Sequence, residues 1–582
     1  MIHKYKMFNA PSSYTIECAA SLGMNWVIVH SIGLSGQTIG LPSFISYDLD
    51  MMNRKKIGPS GQTTDIPYPI YFEDYPKVAE VRRYQDAVWI EPLKAEVTAL
   101  CDQANRLGLK VAFHLYEPTI PLVFEQEYPE IVGICKRQTQ GGTVDVHSHL
   151  DPDNPITWQL MRSKYAEIAR TFPKVDMMII STWDGEGSNW CIPKSKMPIH
   201  RRIVKQVESA LEGVRSVRKD CQICLRLWGR NWPSALYRDG HRLIEELTGV
   251  KDATEYMQPV AKVHNDPDVI LPKLFAELPK DVPIMYKSTR MDIHDAQPLT
   301  YAAGTYPKDR EQIIEVSYEL YHQKPWPWCK VKHIRLGLEA AANYNLAGFL
   351  ALSVNMGNND RNVNPETGNL GRMNTWFFEH LMQGDNRTDI ELTAAWLEKE
   401  FGSPQPKGVV ELLLEANDIV DKGIQWGNGV WIRQPFASLH TMKLNWMFDG
   451  FIDSEFPYKM AKPTKETIEG LIEMKHKAYD RALLCIAKIK AMRAGMHQKL
   501  YEEMLSGFTM LADFILLSRD WQSYILMQYG IERGVYPATR VNLGRMSRFV
   551  ENFICHLIEK GDTQAVKHVI THIEFPDKFA LT

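Results

Sequence analysis

The sequence predicts an α/β fold: a (β/α)8 barrel followed by an all-helical C-terminal domain. Three observations carry this. Apolar β-like runs alternate with helical periods over the first 350 or so residues. One run, Met177 to Ile180, is continuously apolar, which suits a parallel strand buried on both faces. After about residue 390 the strand signal stops and only the helical period remains. The expected division is a barrel over 1–390 and a helical domain over 391–582.

Residues 24–30 (Met-Asn-Trp-Val-Ile-Val-His) form the first β-like run, after a break at Gly23. A polar stretch rich in Gly, Pro and Tyr follows to about residue 88, too long for a plain connection and read as a cleft-lining excursion. Leu93, Val97, Leu100 and Ala104 mark a helix over 91–106; Gly108 ends it and a strand runs over 109–116. Helices over 156–171 and 201–217 lead to strands over 175–181 and 222–228. Residues 253–261 give a weaker strand candidate, and 283–287 and 312–318 are further strands. A helix over 331–344 precedes the last strand, 347–354. That makes eight strands.

In the helical region, Ile468, Leu471, Tyr479, Ala482, Ile486 and Ile489 line one face of a long helix. Further helical periods cover about 497–517, 519–529 and 541–558. The turn-rich stretch 424–465 is expected to reach back toward the barrel mouth.

Bulk properties narrow the function. The 582 residues exceed one ordinary core. Lys and Arg number 67 against 70 Asp and Glu, a net charge of −3, which points away from nucleic acid and anionic membranes. No run of about 18 apolar residues exists to span a bilayer. The first residues, Met-Ile-His-Lys-Tyr-Lys-Met, show no secretory leader, so the expectation is a cytoplasmic protein, or an exported one whose leader is already gone. Nine scattered cysteines read as reduced thiols, and Cys221 and Cys224, a lone C-x-x-C in a strand-like run, do not read as a zinc site. Fifteen tryptophans and 24 tyrosines suit sugar clefts, and equally cores and interfaces.

In a parallel barrel, residues just after the strands gather on one face. Glu117 follows the strand at 109–116. Glu186 follows 175–181 in Trp183-Asp-Gly-Glu-Gly-Ser-Asn-Trp190, where glycines flank it and two indoles bracket it. Apolar rings beside a carboxyl raise its pKa, as a general acid requires. Arg226 ends the 222–228 run, Lys287 and Asp292 accompany 283–287, Glu319 follows 312–318, and Asn355, Asn358, Asn359 and Asp360 follow 347–354. Carboxylates with a cation pair at one rim fit hydrolysis of an acidic sugar, with Arg226 and Lys287 clamping its carboxylate. The same residues could instead pair with one another at a solvated rim.

Several motifs in order carry a resemblance: Gly108-Leu-Lys-Val, Tyr128-Pro-Glu, Leu150-Asp-Pro-Asp-Asn-Pro, Asp184-Gly-Glu-Gly, Lys287-Ser-Thr-Arg-Met-Asp292, Tyr318-Glu-Leu-Tyr-His-Gln323, Gly357-Asn-Asn-Asp-Arg-Asn362 and Trp376-Phe-Phe. With Tyr14 to Gly33, they make the chain resemble glycoside hydrolase family 67, the α-glucuronidases that remove 4-O-methylglucuronic acid from xylan. The resemblance implies an inverting hydrolase of plant-type polysaccharide or its oligosaccharides. Glu186 would be the acid, and Asp292 and Glu319, 27 positions apart, would bind and activate the water. Trp183, Arg226, Lys287, Asn355 and Asp360 would bind substrate. No metal or cofactor is implied, and the helical domain offers a surface for a homodimer. The family also has an N-terminal β domain and a first barrel strand ahead of the matched region. By that measure the chain opens at about the second strand, or 253–261 closes the barrel. The residues around Glu186 and Asp292 differ from the family's, which leaves the sugar open.

Two other readings compete. Asp145-Val-His-Ser-His149 is an H-x-H of the kind that binds zinc on a barrel strand in metal-dependent amidohydrolases, although here it falls in a loop-like stretch. A non-catalytic carbohydrate-binding relative would keep the fold without turnover.

Overall fold

The computed structural model describes residues 3–10, 12–32, 69–117, 120–121, 123–139, 142–181, 195–227, 271–287, 304, 307–319, 327, 329–353, 370, 372–424, 460 and 462–560. The N-terminal half runs β1 (Tyr5–Asn9), α1 (Ser13–Ser21), β2 (Trp26–Ile32), α2 (Pro76–Gln85), α3 (Ala87–Arg106), β3 (Lys110–Tyr116), α4 (Val123–Glu127), β4 (Val132–Thr139) and β5 (Gly142–Leu150). It continues with α5 (Pro155–Thr171), β6 (Met177–Ser181), α6 (Ile199–Val217), β7 (Gln222–Leu227), α7 (Leu271–Glu277), β8 (Ile284–Lys287), β9 (Gln312–Glu319), α8 (Val331–Asn343) and β10 (Gly348–Ser353). Helices α9 (Met373–Met382), α10 (Asp389–Phe401), α11 (Lys407–Ile424), α12 (Lys465–Ala491), α13 (Gln498–Glu532) and α14 (Arg540–Glu559) complete it.

Eight strands close into a barrel in the order β1-β10-β9-β8-β7-β6-β3-β2, every pair parallel. Alternation along each strand sorts the side chains into two apolar layers. Tyr5, Met7, Trp26, Ile28, Ala112, Met177, Ile179, Cys224, Met285, Ile313 and Leu350 fill the lumen. Phe8, Val27, Val111, Phe113, Met178, Ile180, Leu225, Ile314 and Val316 face outward into the second layer. Being buried on both faces is why the strands read as continuous apolar runs.

Three expectations change. The closing strand is β1, which sits between β10 and β2. Its five residues are too short to stand out in a polar N-terminus, yet Tyr5 and Met7 alternate into the lumen while Phe8 faces out. The candidate at 253–261 lies outside the described residues, and the barrel closes without it. The H-x-H lies on β5, an antiparallel partner of β4 in a separate two-stranded sheet, rather than in a loop. The stretch up to residue 88 ends in a helix, α2, introduced by Pro76 at its first turn.

Helix α10 opens with a capping box, Thr388 with Glu391, and stops at Gly402 with φ of 74°. The break expected near residue 518 is absent: α13 is one helix of 35 residues. Ser518, Asp520, Gln522 and Ser523 interrupt its apolar pattern but are all buried. Helix α13 packs against α11, α12 and α14. A helix covered on several sides has no single apolar stripe, so a polar cluster in it imitates a boundary. The cysteines whose side chains are described are not joined to one another by disulfides. No described helix is long and apolar enough to cross a membrane.

Candidate active site

At the carboxyl ends of the strands the lumen turns polar. His114 of β3, Ser181 of β6, Arg226 of β7, Lys287 of β8 and Glu315 of β9 are all buried there. Each lies two residues beyond a residue of the apolar lumen layer (Ala112, Ile179, Cys224, Met285 and Ile313), so period-two alternation turns them inward. Register sets Ser181 opposite Arg226 and Lys287 opposite Glu315.

The Arg226 guanidinium donates from Nε and Nη2 to the two oxygens of Glu315, the second at 2.8 Å, and from Nη1 to Ser181 Oγ at 3.0 Å. This is the bidentate fork expected of an arginine–carboxylate pair. Lys287 Nζ stands 3.9 Å from Glu315 Oε1, near enough for charge attraction but beyond hydrogen-bond reach. Burial alone would raise the Glu315 pKa. The Arg226 and Lys287 cations outweigh it and hold the carboxyl at about 2. His114 is kept neutral, first by burial and then by the Arg226 cation.

A second ionic pair lies beside this layer. Glu117, directly after β3, receives the Lys164 ammonium of α5 at 2.6 Å, and its backbone N–H donates to the Ser181 carbonyl at 2.7 Å. The ends of β3 and β6 are thereby joined.

Of the residues expected at the site, Arg226 and Lys287 meet in this polar layer. Glu117 is turned into the protein interior on Lys164. Glu319 is the last residue of β9, and its side chain lies outside the described residues. The β9–β10 register slips just before it, with Ser317 opposite Leu352 and Glu319 opposite Ser353. Glu186, Asp292, Trp183, Asn355 and Asp360 lie outside the described residues.

Glu315, His114 and Ser181 escaped the sequence reading, which looked for polar residues after strands. Their signal is a polar residue inside an apolar strand, as in Ile313-Ile314-Glu315-Val316 and Val111-Ala-Phe-His-Leu115. The metal-dependent reading places its histidine pair on a barrel strand, whereas among the described residues β5 pairs with β4 and lies outside the barrel. Among the described residues, no cluster of three metal-ligating side chains is found.

No protein-family model matches the chain, and no curated protein matches it. Solved structures do. One is a family 138 glycoside hydrolase targeting the pectin rhamnogalacturonan II, with 12% identity over 92% of this chain and 62% of that one, at a TM-score of 0.50. A family 89 glycoside hydrolase from Clostridium perfringens has 10% identity over 94% of this chain and 54% of that one, at a TM-score of 0.43. A chitobiase from Flavobacterium johnsoniae has 12% identity over 93% of this chain and 74% of that one, at 0.36. The chain thus spans less than two thirds of the family 138 structure. At 12% identity the likeness to the family 138 structure concerns the fold alone.

Proposed function

We propose that the chain is a glycoside hydrolase that releases an acidic sugar, in the manner of an α-glucuronidase, from a plant-type polysaccharide or its oligosaccharides. The observation behind this is the polar layer at the carboxyl end of the lumen. Arg226 and Lys287 both face the Glu315 carboxylate there, beside His114, and a guanidinium with an ammonium on one level of the lumen are groups suited to hold an anionic substituent. In sequence, the proposed acids follow shortly after the strands that supply it. Glu186 is five residues after Ser181, Asp292 is five after Lys287, and Glu319 is four after Glu315. The family 138 glycoside hydrolase, which shares the fold at a TM-score of 0.50, is in keeping with this reaction class.

In this reading Glu186 protonates the leaving oxygen, and Asp292 and Glu319 activate a water on the opposite ring face. Lys287 and Arg226 draw in the uronate carboxylate, while Trp183, Asn355 and Asp360 contact the sugar. Residues 1–390 form the catalytic barrel and 391–582 the helical domain. The hydrolysis needs no cofactor.

The test is a panel of uronic-acid oligosaccharides and neutral aryl glycosides, with product release followed by chromatography and Glu186→Gln in parallel. Release of a free uronic acid that disappears in the variant supports the reading. Release of a neutral sugar removes the uronate specificity. Activity that survives in the variant removes Glu186 from the acid role.

A further inference from the structure

Away from the barrel lumen, the C-terminal helices bury a lysine. Ile468, Lys475, Ala482 and Ile489 recur every seven residues of α12 and are all buried, so Lys475 lies on the apolar seam of that helix. Two contacts fix how the seam meets α13. A Cβ on Gly530 would lie 2.8 Å from Ile468 Cδ1, and the Arg519 guanidinium stands 5.2 Å from the centre of the Tyr479 ring. The two helices therefore run antiparallel. Seven residues from the first contact, or four from the second, bring Lys475 level with Ser523 on the faces that meet. Both residues are buried, and neither Lys475 Nζ nor Ser523 Oγ has a hydrogen-bond partner among the described residues.

Carboxylates on the neighbouring helices are engaged elsewhere. Asp520 of α13 pairs with Arg519 at 2.8 Å and with His556 of α14 at 3.4 Å. Glu415 and Asp418 of α11 pair with Arg481. A buried ammonium without a counter-charge is costly, so a lysine in this setting either gives up its proton or is matched by an anion. A water molecule would leave the ammonium charge uncancelled and suits only the neutral amine. The seam offers one positive charge and two donor groups among apolar side chains. Those terms favour an ion that is small, singly charged and accepts hydrogen bonds without donating any. Sulfate or phosphate would bring charge that nothing described there cancels. We propose that the seam between α12 and α13 binds a small monovalent anion of the halide class between the Lys475 ammonium and the Ser523 hydroxyl. The ion accepts from both groups and lets Lys475 keep its proton inside the fold. This proposal does not rest on the sugar that the barrel cleaves.

The experiment follows thermal unfolding of the full chain at neutral pH in sodium chloride and in sodium gluconate of equal ionic strength. It compares wild type with Lys475→Met and Ser523→Ala. Gluconate matches the screening of exposed charges but is too large for the seam. The wild-type melting temperature should rise with the logarithm of chloride concentration and not with gluconate, as binding to the folded state alone requires. Lys475→Met should melt above wild type in gluconate and lose the chloride response, so that added chloride narrows the gap. Ser523→Ala should need several-fold more chloride for the same shift. A chloride response shared equally by the three proteins overturns the proposal, because the ion then acts elsewhere. A wild type without the response also overturns it and leaves Lys475 a neutral amine. Crystals of the wild type soaked in sodium bromide give a reading independent of stability. An anomalous peak between Lys475 Nζ and Ser523 Oγ supports the site, and its absence there refutes it.

Discussion

The Lys164 ammonium and the Glu117 carboxylate stand 2.6 Å apart with both side chains shut off from solvent. Burial lowers the Lys164 pKa, and the Glu117 charge opposes that shift. Removing one partner leaves the other charged and buried, which costs about 3–5 kcal/mol. Lys164→Met and Glu117→Leu should each destabilise by about that much, and the double variant should recover most of the loss. Denaturant unfolding of the four proteins at neutral pH checks this; additive losses would contradict it.

Glu167 of α5 holds the segment that leads into α2. One carboxylate oxygen accepts the N–H groups of Tyr71 at 2.8 Å and Phe72 at 3.1 Å, and the other accepts that of Glu73 at 2.8 Å. Phe72 has a φ of 64°, a strained value for a residue with a large side chain. Glu167→Ala should cost about 3 kcal/mol, because two buried N–H groups and one part-buried N–H group lose their carboxyl acceptor. Limited proteolysis should then cut near residues 71–73 first. Unchanged cleavage would show that the ring packing of Phe72 on Phe124 holds the segment without the carboxylate.

The Arg226–Glu315 pair makes stability depend on acid. The folded pKa of Glu315 lies below the ordinary value of 4.5, so the stabilisation is complete above 4.5 and is lost as pH falls toward about 2. The stability gap between wild type and Glu315→Gln should stay constant from pH 6 down to about 5 and shrink by about 1.4 kcal/mol per unit below 4.5. Urea midpoints across that range read the gap directly.

Lys475 is buried at a core position of α12, in line with Ile468, Ile472, Ala478, Ala482, Cys485 and Ile489. Its ammonium has no hydrogen-bond partner among the described residues. Burial lowers its pKa well below 10.5. Between the lowered folded value and 10.5, the unfolded chain binds a proton that the fold excludes, so stability declines as pH falls. Lys475→Met should raise the melting temperature, and by more at pH 7 than at pH 10. A destabilised variant would refute this.

Gly348 marks where the barrel closes. A Cβ there would lie 1.9 Å from the Tyr5 carbonyl oxygen, in the β1–β10 pair. Gly348→Ala should cost more than about 2 kcal/mol, since backbone has to move. Thermal unfolding checks it; a near-neutral result would show that β1 shifts freely.

The barrel was legible because parallel strands covered on both faces leave apolar runs, and the intervening helices leave a 3.6-residue period. Strands β2, β3, β6 to β8 and β10 were each read within two residues at either end, and β9 within one. Strand β1 was missed because five residues beside a polar terminus carry too little pattern. The H-x-H segment was read as a loop because Gly141-Gly142 beside it is a turn signal, whereas the segment itself lies on β5. Arg226 and Lys287 were picked out as charges at strand ends. Glu315 was not, because a charge inside an apolar run gains its meaning only from the strand beside it.

Local patterning is a property of neighbouring residues, so periodicity, caps and glycine breaks specified the elements and their alternation, and through them the barrel class. Which strand closes the barrel, which carboxylate takes the Arg226 fork and which lysine is buried at a core position depend on residues such as Arg226 and Glu315, 89 positions apart in the chain. Their pairing follows from strand order and register, and only the folded lumen excludes the water that would otherwise keep such charges apart.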